Sequence, residues 1–360
     1  MEVIVKKFFY LLILLSVSGC SDSEGETQNI VEDNSCEGVL FDDKSRFVIS
    51  EDVSCVTNIA NSYQNLQPQF VQKMEPIEQF MPADADNLLE SIESKQQLYR
   101  NLVLEDLGTM PSSISVQGEY LSTEELSDHF RIRVQYKVQN SGNTIIDWVH
   151  AYLLLPKDFQ VRSPLPAVLT LPQSVKVGKD QTVGNIDLDD IYERSEYNPD
   201  MEQGLDLVRR GYVVLAPDSI GMGDRVYTDK DGKPQYFNYR SFLENFPNWS
   251  VTGKMLWDHQ RGIDFLLSLT NSLSNSEGSI LVDPEKIAVI GNSLGGNNAI
   301  FLAALDSRIS LLATTSGYTR LASDGFMSRY NGYIPKVFDR WRNNQSQPWD
   351  YEDLLLFNNT

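Results

Sequence analysis

The chain has 360 residues, with 50 Asp and Glu against 30 Lys and Arg, which gives a formal net charge of −20. This acid excess argues against a nucleic-acid-binding protein, because a phosphate backbone is bound by a basic surface. Hydrophobic residues make up 41% and charged residues 22% of the chain, a composition typical of a folded globular protein. With three Cys and three His, a Cys/His metal module is disfavoured, and we expect no metal and no organic cofactor.

The first residues have the pattern of an export signal. Two lysines precede an almost wholly apolar run of ten residues, Phe8–Val17. A ten-residue helix is about 15 Å long, too short to cross a hydrocarbon core of about 30 Å, so a signal peptide is favoured over a membrane span. The run ends in Val-Ser-Gly-Cys20, which resembles a bacterial lipobox. We therefore predict that residues 1–19 are removed and that lipidated Cys20 holds the protein in a membrane of the bacterial cell envelope. Ser21, after the cysteine, favours the outer membrane. The alternative is an ordinary secretory signal with a chance cysteine.

Residues 20–62 are predicted to form an acidic tether. Positions 21–52 hold ten acidic residues against Lys44 and Arg46, and such a stretch extends by self-repulsion. If Cys20 is lipidated, Cys36 and Cys55 are the remaining thiols of an exported chain, and a disulfide between them is expected. Closing this loop of about 20 residues would contribute roughly 3 kcal/mol. The alternative is two free or buried thiols.

Residues 63–110 are predicted to form accessory helices that pack on the main domain. Apolar residues recur there at steps of three and four, which is helical spacing, and Pro82 separates two runs. The second run comprises Leu88, Leu89, Ile92, Leu98, Leu102 and Val103.

Residues 111–360 are predicted to form one α/β domain. The strict alternation in Phe130–Val138 indicates a half-buried antiparallel strand, and Ile145–Leu155 is its return strand. Short apolar runs then alternate with helical segments, which is typical of a mostly parallel sheet with helices on both faces. The runs predicted as strands are 167–171, 211–216, 286–290 and 309–315, and the predicted helices are 201–210, 251–269 and 294–305.

One short motif carries chemistry. The third parallel strand runs into Gly291-Asn-Ser293-Leu-Gly295, and a predicted helix follows, so G-x-S-x-G stands in the strand-turn-helix setting of a nucleophile elbow. The glycines remove Cβ atoms that would collide in so tight a turn. Ser293 is therefore the predicted nucleophile, and the backbone N–H of Leu294 is a predicted donor to the oxyanion.

Residues 128–357 resemble α/β-hydrolases, in particular the dienelactone-hydrolase-like and acetylxylan-esterase-like branch. The residues that carry the resemblance are Trp257–Leu266, Val282–Ile287, the elbow, Ala303–Ile309, Arg210–Asp218 and Gly221–Asp224. The resemblance implies hydrolysis of a small-molecule carboxylic ester, of a carbohydrate or a small organic acid, through a Ser293 acyl-enzyme. It also implies that the loop with Pro172 and Gln173 supplies a second oxyanion N–H, with Gln173 as the candidate. Pro172 and Asn292 stand where this family commonly has histidines.

The rest of the catalytic machinery is harder to find. In α/β-hydrolases the acidic residue of the triad, Asp or Glu, follows the serine along the chain, and the histidine that acts as the base follows the acidic residue. His129, His150 and His259 all precede Ser293, and each is interpreted as structural. Asp324 is the candidate acid, and Asp218 is interpreted as a residue that organises a loop.

The C-terminal segment predicts an incomplete triad. Pro348–Phe357 resembles the segment just before the last two strands of the family, and those strands carry the Asp and the His. We therefore expect a C-terminally incomplete chain whose last strands are missing. Two alternatives to an enzyme stay open, a non-catalytic surface lipoprotein and the product of a truncated pseudogene.

Overall fold

A computed structural model describes residues 88–111, 114–141, 145–190, 195, 197–270, 280–318, 320–321 and 330–355. The export signal, the tether, Cys20, Cys36, Cys55 and Asp324 lie outside these residues, so what was predicted for them stays a prediction. Among the described residues there is no helix with the length and apolar character needed to span a bilayer.

The strands of the described chain are β1 Gly118–Glu125, β2 His129–Ser141, β3 Ile145–Pro156, β4 Leu165–Leu171, β5 Val213–Pro217, β6 Tyr227–Thr228, β7 Pro234–Gln235, β8 Val282–Asn292 and β9 Ile309–Thr315. The helices are α1 Leu88–Leu107, α2 Phe159–Arg162, α3 Lys179–Thr182, α4 Gln203–Arg209, α5 Arg240–Asn245, α6 Val251–Ser268, α7 Leu294–Leu305, α8 Tyr330–Tyr333, α9 Pro335–Arg342 and α10 Tyr351–Leu354. Two 3₁₀ turns, Pro199–Met201 and Gly223–Arg225, lie in the connections.

The described strands form a seven-stranded sheet in the order β1-β2-β3-β5-β4-β8-β9, with β6 and β7 as a separate ribbon. β1, β2 and β3 pair antiparallel, and β3 is also antiparallel to β5. β5, β4, β8 and β9 are parallel. The predicted class, a mostly parallel sheet preceded by an antiparallel hairpin, is confirmed. The antiparallel part of the sheet has one strand, β1, that the sequence analysis did not predict. The strand was missed because every one of its residues is exposed and apolar residues do not alternate along it.

Helices cover both faces of the sheet. Along β5 the side chains alternate between two clusters, with Val213 and Leu215 in the main core and Val214 and Ala216 in a second cluster closed by Val208 of α4. The first face is covered mainly by α6 and α7. This alternation explains why the strand is apolar throughout, as expected for a strand buried on both sides.

β2 confirms the sequence pattern at the level of side chains. Ile132, Val134, Tyr136 and Val138 are buried, and the residues between them are partly exposed. On this face the Tyr136 and Phe265 rings stack with centroids 5.7 Å apart.

The end of α1 is fixed to the start of α6. Ser250 caps α6, since its hydroxyl accepts a hydrogen bond from the Gly253 N–H at 2.9 Å. The same hydroxyl and the Ser250 N–H both donate to the Leu107 carbonyl at 2.9 Å. A Cβ on Gly253 would lie 2.4 Å from that carbonyl oxygen, so glycine permits the close approach. The helix predicted from the apolar spacing at 88–103 therefore exists and packs on the sheet domain.

Candidate active site

Ser293 occupies the tight turn between β8 and α7. Its backbone has φ 52° and ψ −117°, a conformation that non-glycine residues rarely adopt. The turn is held from both sides. The Ser293 N–H donates to the Thr315 carbonyl at 2.9 Å, and the Ser293 carbonyl accepts from the Asn297 N–H at 2.9 Å. Strain of this kind costs about 1–3 kcal/mol and persists only where the surroundings fix it, which is typical of a functional turn.

The glycines of the motif are required by close backbone approach. A Cβ on Gly291 would lie 2.3 Å from the Gly295 carbonyl, and a Cβ on Gly295 would lie 2.1 Å from the carbonyl oxygen of Leu171. The first turn of α7 therefore rests directly on the end of β4. As the first residue of α7, Leu294 has an N–H without a helical acceptor, as the predicted oxyanion role requires.

The sheet register brings Gln173 to the same edge. Leu171 of β4 is aligned with Gly291 of β8, and two residues beyond that pair the Asn292 amide nitrogen donates to the Gln173 side-chain oxygen at 2.8 Å. Gln173 therefore lies next to the residue that precedes Ser293. The structure thus brings together the three residues predicted for nucleophile and oxyanion hole: Ser293, Leu294 and Gln173.

Polar side chains connect the serine turn to the Gln173 loop. The Asn292 amide nitrogen donates to the Gln173 side-chain oxygen at 2.8 Å and lies 3.2 Å from the Met201 sulfur. The Thr315 hydroxyl donates to the Asn292 oxygen at 2.9 Å, and the Gln173 nitrogen donates to Gln181 at 3.1 Å.

Two of the three histidines lie far from Ser293. The register aligns Leu153, Leu215, Leu169 and Val289 across four neighbouring strands. Because β3 runs antiparallel, the residue level with Ser293 on β3 is Val149. His150 is thus at the same edge of the sheet as Ser293, but β3 is three strands from β8, which separates the two residues by about 14 Å. His129 pairs with Pro156, which is seven residues or about 23 Å along β3 from Val149, and β2 is four strands from β8, so His129 lies about 30 Å from Ser293.

His259 is fully buried on α6, and neither ring nitrogen has a hydrogen-bond partner. Burial lowers the pKa of its imidazole to about 3, and the charges of Arg225 and Lys254 act in the same direction. The ring is therefore neutral at physiological pH and closed off from solvent. His150 lines a hollow, whereas His129 and His259 are buried, so the interpretation of all three as structural residues stays a prediction.

Asp218 organises the loops beside the site, as predicted. Its carboxylate is fully buried and accepts from the Lys179 N–H and ammonium, both at 2.8 Å, and from the Asp224 N–H at 2.9 Å. A Cβ on Gly178 or Gly223, both at positive φ, would lie 2.2 or 2.1 Å from the carboxylate. Asp218 therefore ties the loop after β4 to the loop after β5.

Lys179 is the counter-charge of this cluster. Burial alone would lower the pKa of its ammonium, but the carboxylates of Asp218, Asp180 and Asp224 outweigh burial and raise that pKa above its usual range. The lysine is thus charged although its side chain is 1% exposed. The sequence analysis gave Lys179 no role and Asp224 none beyond the resemblance at Gly221–Asp224. The carboxylates that Lys179 binds are 39 and 45 residues further along the chain, so local spacing does not connect them.

A second buried ionic cluster lies further along the same edge. Arg225 donates to Asp258 at 2.8 Å and to Asp147 at 3.1 Å, and Lys254 bonds both carboxylates. The two cations hold the pKa of Asp147 at about 2, even though its burial works to raise it. A hollow of about 200 Å³ beside this cluster is lined by Asp147, Trp148, His150, Ile220, Asp224, Arg225, Val226 and Tyr227.

No protein-family model matches the chain. Over 219 residues the chain is 30% identical to the protein named “Putative hydrolase YtaP” of Bacillus subtilis (strain 168), a match that covers 61% of this chain and 62% of that protein. The chain thus spans less than two thirds of the length of this relative.

Two solved structures resemble the described fold. A glucuronoyl esterase from Solibacter usitatus has 17% identity and a TM-score of 0.52, covering 76% of this chain and 73% of that one. A CE15 glucuronoyl esterase from Teredinibacter turnerae T7901 has 13% identity and a TM-score of 0.54, covering 80% and 70%. At such identities a structural likeness is a statement about architecture, and the chain has the α/β-hydrolase fold.

Proposed function

We propose that the protein is a serine hydrolase of carboxylic esters and that Ser293 is its nucleophile. The observation that carries the proposal is the strained Ser293 at the start of α7, beside the loop whose Gln173 side chain bonds Asn292. Strained serines in a glycine-lined strand-to-helix turn are the geometry in which a hydroxyl is presented to a carbonyl carbon.

The reaction has two halves. The Ser293 oxygen attacks the ester carbonyl carbon, its proton passes to a base, and the N–H groups of Leu294 and Gln173 stabilise the oxyanion. The C–O bond then breaks, the alcohol leaves with that proton, and an acyl-serine remains. Water attacks the acyl-serine, releases the acid and restores the hydroxyl.

No histidine of the chain is positioned to accept the Ser293 proton. The placements of His129, His150 and His259 leave none of them in contact with the Ser293 hydroxyl. We therefore expect the 360-residue chain to hydrolyse esters slowly by itself. A free base small enough to enter the site should accelerate the reaction.

The names of the relatives support the substrate class. Two of the solved structures with the same fold are glucuronoyl esterases, and the curated relative is named as a hydrolase. We extend this to an ester of a carbohydrate or of a small organic acid. We also propose that the protein works at the cell envelope, held there by lipidated Cys20.

The test is chemical rescue. Hydrolysis of p-nitrophenyl acetate by the chain and by its Ser293→Ala variant is measured over a series of imidazole concentrations. The variant is the matched control, because imidazole cleaves this ester unaided and because both proteins present the same surface. We expect the Ser293 protein to exceed the variant by at least about tenfold at high imidazole, since a general base contributes about 10²–10⁴-fold.

A fluorophosphonate probe, read by mass spectrometry, should label Ser293 under the same conditions. Equal rates for the two proteins at every imidazole concentration would refute the hydrolase proposal and favour a non-catalytic lipoprotein. Ser293-dependent turnover that needs no imidazole would instead refute our expectation about the base.

A further inference from the structure

Four polar side chains form an unbroken hydrogen-bonded series across the edge of the sheet where Ser293 lies. The series runs from the Thr315 hydroxyl to the Asn292 oxygen, from the Asn292 nitrogen to the Gln173 oxygen, and from the Gln173 nitrogen to Gln181, at 2.9, 2.8 and 3.1 Å. Its members lie on β9, at the end of β8, in the loop after β4 and on α3. Asn292 directly precedes the nucleophile, and its amide therefore links the serine turn to the loop of the proposed oxyanion donor.

Asp218 holds the far end of the Gln173 loop through Lys179, but Gln173 itself lies six residues before that contact. β4 ends at Leu171, so strand pairing no longer fixes the backbone beyond that residue. Pro172 has no N–H to donate, and the Gln173 carbonyl accepts from the Val175 N–H at 2.8 Å, a bond within the loop that does not tie it to the sheet. The hydrogen bond from Asn292 is made to Gln173 itself, the residue whose N–H has to point at the oxyanion.

The first turn of α7 limits where this loop can go. A Cβ built on Gly295 would lie 2.1 Å from the Leu171 carbonyl oxygen and 2.7 Å from that of Pro172. The start of the loop is therefore already in contact with the helix. It cannot move further toward the serine turn, so the direction left open is away from it. A hydrogen bond from Asn292 opposes that movement.

We propose that Asn292 is a positioning residue that holds the Gln173 N–H on the oxyanion formed at Ser293. The inference rests on the proposed function and deepens it. Catalytic groups must be held within about 0.5 Å of their working geometry, and loss of one oxyanion donor costs about 10²–10³-fold in kcat. Loosening the donor without removing it should cost less, about 10–100-fold.

The experiment compares Asn292→Leu, which has similar volume and makes no hydrogen bond, with Asn292→Asp. In Asn292→Asp the Gln173 side-chain amide can flip by 180° and donate to the new carboxylate, so a hydrogen bond between the two side chains is kept. Asn185→Leu is the matched control, because Asn185 is a half-buried amide that bonds Tyr152 and Asp180 and does not contact the Gln173 side chain. Circular dichroism melting confirms that each variant is folded.

The readout is imidazole-dependent hydrolysis of p-nitrophenyl acetate, split into kcat and KM, together with inhibition by phenylboronic acid, which mimics the tetrahedral intermediate once the serine oxygen adds to its boron. We expect Asn292→Leu to lower kcat about 10–100-fold with KM within about twofold, and to weaken the boronic acid by about tenfold or more. Asn292→Asp should restore most of the rate, and Asn185→Leu should behave as the parent.

Two failures are distinguishable. If the parent is no faster than Ser293→Ala at any imidazole concentration, the proposed function fails and the role of Asn292 fails with it. If the parent depends on Ser293 but Asn292→Leu keeps the parent kcat and boronic-acid affinity, the positioning proposal alone is wrong. A fall in rate that follows a rise in KM or a loss of folded protein would also overturn it, since it would indicate a merely structural residue.

Discussion

Gly295→Ala tests whether the contact between the serine turn and the end of β4 holds the site together. The added Cβ would lie 2.1 Å from the Leu171 carbonyl oxygen, 2.6 Å from its carbon and 2.7 Å from the Pro172 oxygen. All three are backbone atoms, so no flexible side chain can move aside. An ordinary carbon–oxygen contact exceeds 3 Å, and α7 and β4 must separate by about 1 Å.

The magnitude follows from two opposing effects. Alanine at a helical position gains up to about 1 kcal/mol over glycine. Overpacking costs about 1–3 kcal/mol and occasionally more, and a clash with rigid backbone on a strand end belongs at the upper end. We expect a net destabilisation of about 2 kcal/mol, which lowers Tm by about 4–8 °C in a domain of this size. A 1 Å displacement near the reacting atoms should also cost about 10²-fold in the rescued rate.

The assay is thermal unfolding by circular dichroism, with Gly332→Ala as the control. Gly332 is also helical, its φ is not positive, and the nearest atom to its added Cβ is a Tyr239 ring carbon at 3.8 Å. The control should melt at the parent temperature or slightly above it. If Gly295→Ala melts within about 1 °C of the parent and keeps the rescued rate, the reasoning about this contact is wrong.

Two further predictions follow from other features. Because the folded pKa of His259 is about 3 and its ordinary value is 6.5, the unfolded chain binds the proton first, and stability is lost as pH falls from about 6.5 toward 3. His259→Leu should reduce the fall in Tm between pH 7 and pH 4, and an unchanged slope would contradict the neutral, buried histidine. Cys20→Ala should release the protein from membranes during an alkaline wash, and retention in the pellet would show that Cys20 is not the anchor.

Elements with a periodic apolar pattern could be predicted from the sequence. Strict alternation located β2 to within one residue at its start and three at its end, and short apolar runs located β4, β5, β8 and β9. The missed strand β1 reads Gly-Glu-Tyr-Leu-Ser-Thr-Glu-Glu, and its stability comes from its ladder with β2, which no local pattern records. In that strand tertiary pairing outweighs the sequence signal.

The nucleophile could be predicted, and most of its surroundings could not. G-x-S-x-G is a local signal, because the backbone conformation of Ser293 and the close approach of Gly291 to Gly295 arise within the motif, whereas the contact of Gly295 with Leu171 depends on the fold. Asn292 and Gln173 are 119 residues apart, and Lys179 and Asp218 are 39 apart. Only the fold brings such pairs together, so their hydrogen bonds were not available to reasoning from spacing.

The two outer strands of the described sheet differ in how they meet a second molecule. β1 presents Glu119, Glu124 and Glu125, whereas β9 has no charged residue and leaves Leu311 58% exposed. Salt screens the repulsion that a net charge of −20 causes between copies, but it does not remove the exposed apolar surface of Leu311. Of the two outer strands of the described sheet, β9 is therefore the one at which we expect added salt to favour contact with a second copy.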